Sequence, residues 1–171
     1  MRFLKSVMVV VVVAAILVGV LYWLRRYKSE PPPTPQPFET QGKLQVIALD
    51  VGQGDGLLIL APNGKTILID AGSVRAGDDV VAALQRRNIR TVDLAVATHP
   101  HADHIAGLRR VIGELAVKQL LDSGQSYSST EYEKLLRAVK ERKVNYIKAG
   151  KGQTFDLGSG AQLEEIGRAH V

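Results

Sequence analysis

Six residues constrain this chain more than any other feature. His99-Pro100-His101-Ala102-Asp103-His104 places three imidazoles and a carboxylate in one hexapeptide, and takes three of the four histidines in 171 residues. The segment follows Val92 to Thr98, an apolar run that reads as a buried strand, so the cluster falls on the loop where that strand ends. Imidazole nitrogen and carboxylate oxygen suit a borderline-soft dication such as zinc. A strand-like i, i+2 spacing aims His99 and His101 to one side, where both can reach one ion. A turn at Asp103-His104 can send that pair to a second ion a few ångströms away. Two ions about 3.5 to 4 Å apart lower the pKa of a shared water toward 7, which makes hydrolysis the natural reaction. A lone histidine is usually a satisfied surface or core group, but three beside an aspartate are poorly explained that way. Cysteine is absent, which excludes disulfides, thiolate metal sites and a cysteine nucleophile in this stretch.

The amino-terminal part has a different composition. Val7 to Leu24 carries no charge and is apolar apart from Tyr22 and Trp23 near its end, enough for a helix of roughly 27 Å that spans a bilayer. No small-residue cleavage site follows it, which favours an uncleaved anchor over a signal peptide. Arg2 and Lys5 precede it and Arg25, Arg26 and Lys28 follow it, so the basic flanks nearly balance and set no orientation by themselves. These five residues equal the whole net charge of +5. The rest is near neutral, and net charge therefore gives no footprint for nucleic acid. Ser29 to Thr40 holds five prolines, which favour an extended, semi-rigid spacer. The expected organisation is an anchor over 1–28, a linker over 29–42 and a domain over 43–165.

Within that domain, Lys43 to Asp50, Leu57 to Ala61, Thr66 to Asp70 and Lys118 to Leu121 read as strands. Asn145 to Ile147, Thr154 to Leu157 and Ala161 to Glu165 are shorter strand candidates between glycines. Asn63-Gly64 is a hairpin turn signal. Val51-Gly52-Gln53-Gly54-Asp55-Gly56 is a tight loop rather than a phosphate cradle, because no lysine-serine ending or helix follows. Helices are expected from Asp78 or Asp79 to Arg87, over Ile105 to Glu114, and over Thr130 to Arg142 with Ser129 or Thr130 as cap. Strands alternating with helices give a layered α/β or α+β class.

HPHADH resembles the H-x-H-x-D-H signature of the metallo-β-lactamase fold, and Ile67-Leu68-Ile69-Asp70-Ala71-Gly72 resembles the strand-ending aspartate motif that precedes it there. The likeness runs from about Leu44 to Leu163. Leu49-Asp50-Val51-Gly52-Gln53-Gly54-Asp55 and Thr98 to Gly107 further resemble the hydrolase domain of ComEC-type competence proteins. The resemblance implies an αββα sandwich, here incomplete, and a metal-dependent hydrolase with two zinc ions or other divalent metals. It implies that His99 and His101 ligate the first ion and Asp103 and His104 the second, with Asp103 also aligning the attacking hydroxide. Asp70 would sit behind the ligands and orient the histidine loop. Asp55 faces the same cleft or only caps its loop; the sequence leaves both readings open. The implied substrate is a phosphodiester, with DNA uptake as the setting. β-Lactam or thioester hydrolysis and a non-catalytic scaffold in an envelope assembly are the alternatives. The implied place is the cell membrane, single-pass, with the domain outside the cytoplasm.

The family pattern also needs a third histidine, a bridging aspartate and a last histidine downstream, where this chain offers only His170. Ile166 to Val171 resembles the translation of a common sequencing-adapter read. Authentic sequence is therefore expected to end near Glu164 or Glu165, and the fragment to bind zinc weakly and turn over poorly.

Overall fold

The computed structural model describes residues 42–167. The expected membrane anchor, all but the last residue of the proline-rich linker, and His170 lie outside the described residues. Among the described residues, no helix is long and apolar enough to cross a membrane.

Three strands open the fold in antiparallel succession: β1 (Gln45–Ala48), β2 (Leu57–Leu60) and β3 (Thr66–Ile69). Asn63-Gly64 turns β2 into β3, with Gly64 at φ 81 and its N–H donating to Ala61 O at 2.9 Å. The hairpin falls where Asn-Gly marks it, but as a three-residue loop Pro62-Asn63-Gly64 in which Gly64 has positive φ and Asn63 does not, rather than as the two-residue type I′ turn that the pair favours. From β3 onward, helical crossovers make the pairing parallel. Helix α1 (Val74–Arg86) leads through the short β4 (Thr91–Val92) to β5 (Leu94–Ala97); α2 (Ala102–Glu114) leads through β6 (Ala116–Val117) to β7 (Gln119–Asp122); α3 (Thr130–Glu141) leads to β8 (Asn145–Lys148). The six-stranded sheet runs β1-β2-β3-β5-β7-β8, parallel from β3 to β8. A hairpin, β9 (Thr154–Gly158) with β10 (Ala161–Glu164), closes the described chain.

Alternation along the central strands divides the core in two. Leu58, Leu60, Leu68, Ala95 and Leu120 face one way, packed with Val80, Leu84, Ile105, Leu108, Ile112 and Leu135 of the three helices. Ile59, Ile67, Val96 and Leu121 face the other way and meet Leu157, Phe155 and Leu163 of the hairpin. Apolar residues on both faces explain why β2, β3, β5 and β7 read as continuous hydrophobic runs. Layers of helices, sheet and hairpin make a mixed α/β fold, consistent with the metallo-β-lactamase architecture.

Helix starts differ from the sequence expectation at two places: α2 begins at Ala102, three residues before Ile105, so that Asp103 and His104 lie in its first turn, and α1 also begins early. α1 starts four residues before Asp78, because Ser73 in extended geometry (φ -69, ψ 173) accepts from Ala76 N at 3.4 Å and caps it. Ser129 caps α3 as expected, accepting from Tyr132 N at 3.2 Å. The run Val92 to Thr98 is divided at Asp93, whose Oδ2 accepts from Thr66 N at 2.8 Å while its Oδ1 meets Lys118 Nζ. That bond stops the ladder and restarts it as β5.

Candidate metal centre

The parallel strands end on one edge of the sheet, and the chemistry gathers there. Asp70 stands one residue past β3 in a left-handed conformation (φ 52) and is fully buried. A buried carboxylate is costly unless its lone pairs are occupied, and here they are. Asp70 Oδ1 accepts from Thr98 N at 3.0 Å; Oδ2 accepts from Thr98 Oγ1 at 2.6 Å and lies 3.0 Å from His104 Nδ1.

This network assigns the imidazole protons. Thr98 has one hydroxyl proton, and Asp70 takes it, so Thr98 Oγ1 accepts from His99 Nδ1, 3.0 Å away. His104 Nδ1 likewise donates to Asp70. In both rings Nδ1 carries the proton and Nε2 keeps its lone pair, the tautomer that a metal ligand needs.

The rings lie against one another. His99 is 4.0 Å from His104 and 4.7 Å from His101 between centroids, and Tyr127 backs His101 at 5.5 Å. One donor atom each from Asp70, His99 and His104 lies within 4.8 Å of the others. The expected pairing joined His99 with His101, whereas this grouping joins His99 with His104 and Asp70. Asp103 stands in the first turn of α2, where Gln53 Nε2 donates to its Oδ2 at 3.1 Å. Its own backbone N–H, foremost, outweighs the upward pull of burial and, with Gln53, His104 and His101, holds its carboxyl below the ordinary range, so it stays ionised. Asp55 is mostly exposed, with Oδ2 3.6 Å from His104 Nδ1, and so reaches the rim of the cluster.

The donor set passes a chemical test. Imidazoles already turned to expose Nε2, beside an ionised carboxylate, fit a divalent ion of borderline softness. Asp70, with both oxygens engaged by Thr98 and His104, orients the ligands. Sequence reasoning missed Thr98, Gln53 and Tyr127. Thr98 is adjacent to the motif, but its role depends on a carboxylate 28 positions away. The glycine loop packs on the start of α2: a Cβ on Gly54 would lie 1.7 Å from Asp103 O, and Gly54 has φ +98. Only glycine lets that loop bring Gln53 to Asp103.

Burial lowers the pKa of His99 from 6.5, as do His104 and His101, against a weaker pull from Asp70 and Asp103. The unfolded chain then takes up this proton first as the pH falls, so stability declines as the pH drops through about 6.5 and the loss is complete below the folded value. Urea unfolding of the metal-free chain should show a lower midpoint at about pH 5.5 than at pH 7.5. His99→Gln should show a smaller fall. An equal fall in both proteins would contradict this assignment.

A family model described as the metallo-beta-lactamase superfamily matches residues 49–171. ComE operon protein 3 of Bacillus subtilis (strain 168) is 25% identical over 137 residues, which take in 70% of this chain and 17% of that protein. The chain thus spans under a fifth of the length of that relative. A crystal structure described as that of a new diphosphatase from the PhnP family is 24% identical, with 60% of this chain and 40% of that one covered at a TM-score of 0.36.

Proposed function

Because the chain belongs to the metallo-β-lactamase superfamily, whose members bind metal ions, we propose that it is the metal-dependent hydrolase part of a membrane-anchored protein, holding two zinc ions and cleaving a phosphodiester, with DNA as the substrate. The observation that carries the metal reading is the pair of imidazoles, His99 and His104, whose Nδ1 atoms are both tied into the Asp70 network. The phosphodiester and DNA-uptake reading is supported by the likeness to the competence-operon protein. The anchor over 1–28, the linker over 29–42 and the domain from 43 belong to the same proposal, with the domain outside the cytoplasm.

His99, His101 and His104 would hold the ions with Asp103. When bound, the metal supplies Lewis acidity and a nucleophile at neutral pH. The chain does the rest. Asp70 and Thr98 keep the imidazoles in one tautomer and one orientation, which spares that reorganisation during the reaction. Asp103, ionised and steadied by Gln53, accepts a hydrogen bond from the attacking water and directs its lone pair at the substrate.

Native mass spectrometry should show two zinc ions per chain in a protein that carries the downstream ligands as well, and weaker uptake by the metal-stripped chain itself. His104→Ala should weaken the uptake at least about tenfold, as removal of even an outer partner does. With metal supplied, hydrolysis of bis-para-nitrophenyl phosphate should exceed that of a β-lactam and of a glutathione thioester. Turnover of only the last two would replace the phosphodiester reading, and a chain that takes up no divalent metal would end the hydrolase reading.

A further inference from the structure

A cavity of about 960 Å³ is lined by His99 and His101 together with Gln125, Lys148 and Lys151. Its volume is at the upper end for ligand sites and exceeds what a single small diester fills. Among the described residues, neither lysine forms an ion pair. Glu165 also lines the cavity, and its Oε1 accepts from Gly167 N at 2.9 Å.

The support beneath Lys148 is built. Gly124 has φ +65, and a Cβ there would lie 2.5 Å from Lys148 Cε, 2.8 Å from Cγ and 3.0 Å from Cδ. The lysine stem therefore lies directly on this glycine, which has no side chain to lift it. Gly124 is itself pinned, its N–H donating to Oδ2 of the buried Asp122 at 2.9 Å. The same oxygen accepts from Tyr132 at 2.8 Å and from Tyr146 at 2.7 Å, and Ala149 N donates to Asp122 O at 2.8 Å. Burial, with the bond to Asp122, pushes the Tyr132 phenol up to about 12 and the Tyr146 phenol upward too, so both remain donors at any working pH. Tyr146 and Lys148 are two apart on β8 and share a face. One side chain locks the loop that the other lies on. A long, flexible ammonium gains most as a binding group when its stem is held this way, because less rotamer freedom is lost on contact.

We propose that Lys148, with Lys151 lining the same cavity, receives an anionic group flanking the bond to be cleaved, so that the preferred substrate is a chain of linked phosphates, such as a short single-stranded oligonucleotide, rather than an isolated diester. The inference rests on the phosphodiester reading of the cavity that His99 and His101 line. Lysine meets phosphate as a charge-assisted donor, and two lysines lining one cavity can meet more than one charge of such a chain.

Fluorescence anisotropy of a dye-labelled thymidine trinucleotide against the full chain tests this without turnover. Lys148→Gln should weaken binding about fivefold to tenfold, the loss of one charge-assisted contact. Lys148→Arg should retain most of the affinity. Lys140→Gln, the same charge change at an exposed position of α3 outside the cavity, should alter it less than about twofold. Equal effects of Lys148→Gln and Lys140→Gln would reduce the cavity lysines to general charge and overturn the proposal. Failure of the wild type to bind the trinucleotide while it hydrolyses bis-para-nitrophenyl phosphate would sink this inference alone. Failure on both probes would remove the phosphodiester reading with it.

Discussion

Asp70→Ala is expected to destabilise the fold by about 2 to 3 kcal/mol, the usual cost of losing hydrogen bonds to a charged group. The change strips the acceptors from Thr98 N, Thr98 Oγ1 and His104 Nδ1 together; exposed Thr98 can turn to water, whereas the largely covered His104 ring loses its partner with little return. Alanine would also have to occupy φ 52, which adds about 1 kcal/mol of backbone strain. Asp70→Asn separates the fold from the site. Asparagine tolerates the left-handed region and fills the same volume, so its cost should be only about 1 to 2 kcal/mol. Its amide nevertheless turns a donor toward the protons of Thr98 and His104, and the imidazole tautomers are no longer fixed. Zinc affinity should then drop roughly 10- to 100-fold. Urea denaturation and a chelator-competition titration read the two effects. Wild-type affinity in Asp70→Asn would show that Asp70 does not orient the ligands.

Gly107→Ala is expected to cost about 3 kcal/mol although it lies inside a helix, where alanine is normally better by about 1 kcal/mol. A Cβ at Gly107 would stand 2.0 Å from Ala71 O and 2.8 Å from Ala71 C, and Gly77 opposite would need to place its own Cβ 2.9 Å from Gly107 Cα. The obstructing atoms are backbone and cannot rotate away. Gly107 N also donates to Gly72 O at 2.9 Å, and Ala71 N to His104 O at 2.9 Å, so α2 is bonded to the chain leaving β3. Forcing the helix outward breaks these bonds and carries His104 away from Asp70. Gly113→Ala, in the same helix with nothing within 4 Å of its Cβ, should instead stabilise by about 0.5 to 1 kcal/mol. Thermal unfolding of the two variants with the parent makes the comparison. Equal effects would mean that the contact at Ala71 gives way easily.

Much of this was legible because local signals and global packing agree. Apolar runs marked β2, β3, β5 and β7, and Ser129 ahead of an amphipathic stretch marked α3 to within a residue. The position of the metal cluster at a strand end followed from Val92 to Thr98 running into His99. The rest needed three dimensions. Ser73 as the cap of α1 was overshadowed by the acids at Asp78 and Asp79, which lie in the helix interior. Thr98 looked like the end of a strand until Asp70, 28 residues earlier, was seen to bond it twice. Asp122, Tyr132 and Tyr146 converge from β7, α3 and β8, and no spacing rule links them. The closeness of His99 to His104 depends on how the loop bends before α2, whereas i, i+2 counting speaks only to His99 and His101, whose rings lie 4.7 Å apart.

Asp70, His99, Asp122 and Lys148 stand at or just past the ends of four adjacent parallel strands, whose inner positions Ile67, Leu68, Ala95, Val96, Leu120 and Leu121 are aliphatic and buried. Reaction and solidity are thus assigned to different stretches of the chain. Sequence drift in the connecting segments can retune what is recognised at that rim while leaving the interior untouched, whereas a slip of one residue in any of these strands would turn its working group away and its oily side chains over together. The hydrophobic interior therefore acts as a proofreading template for where the polar groups stand.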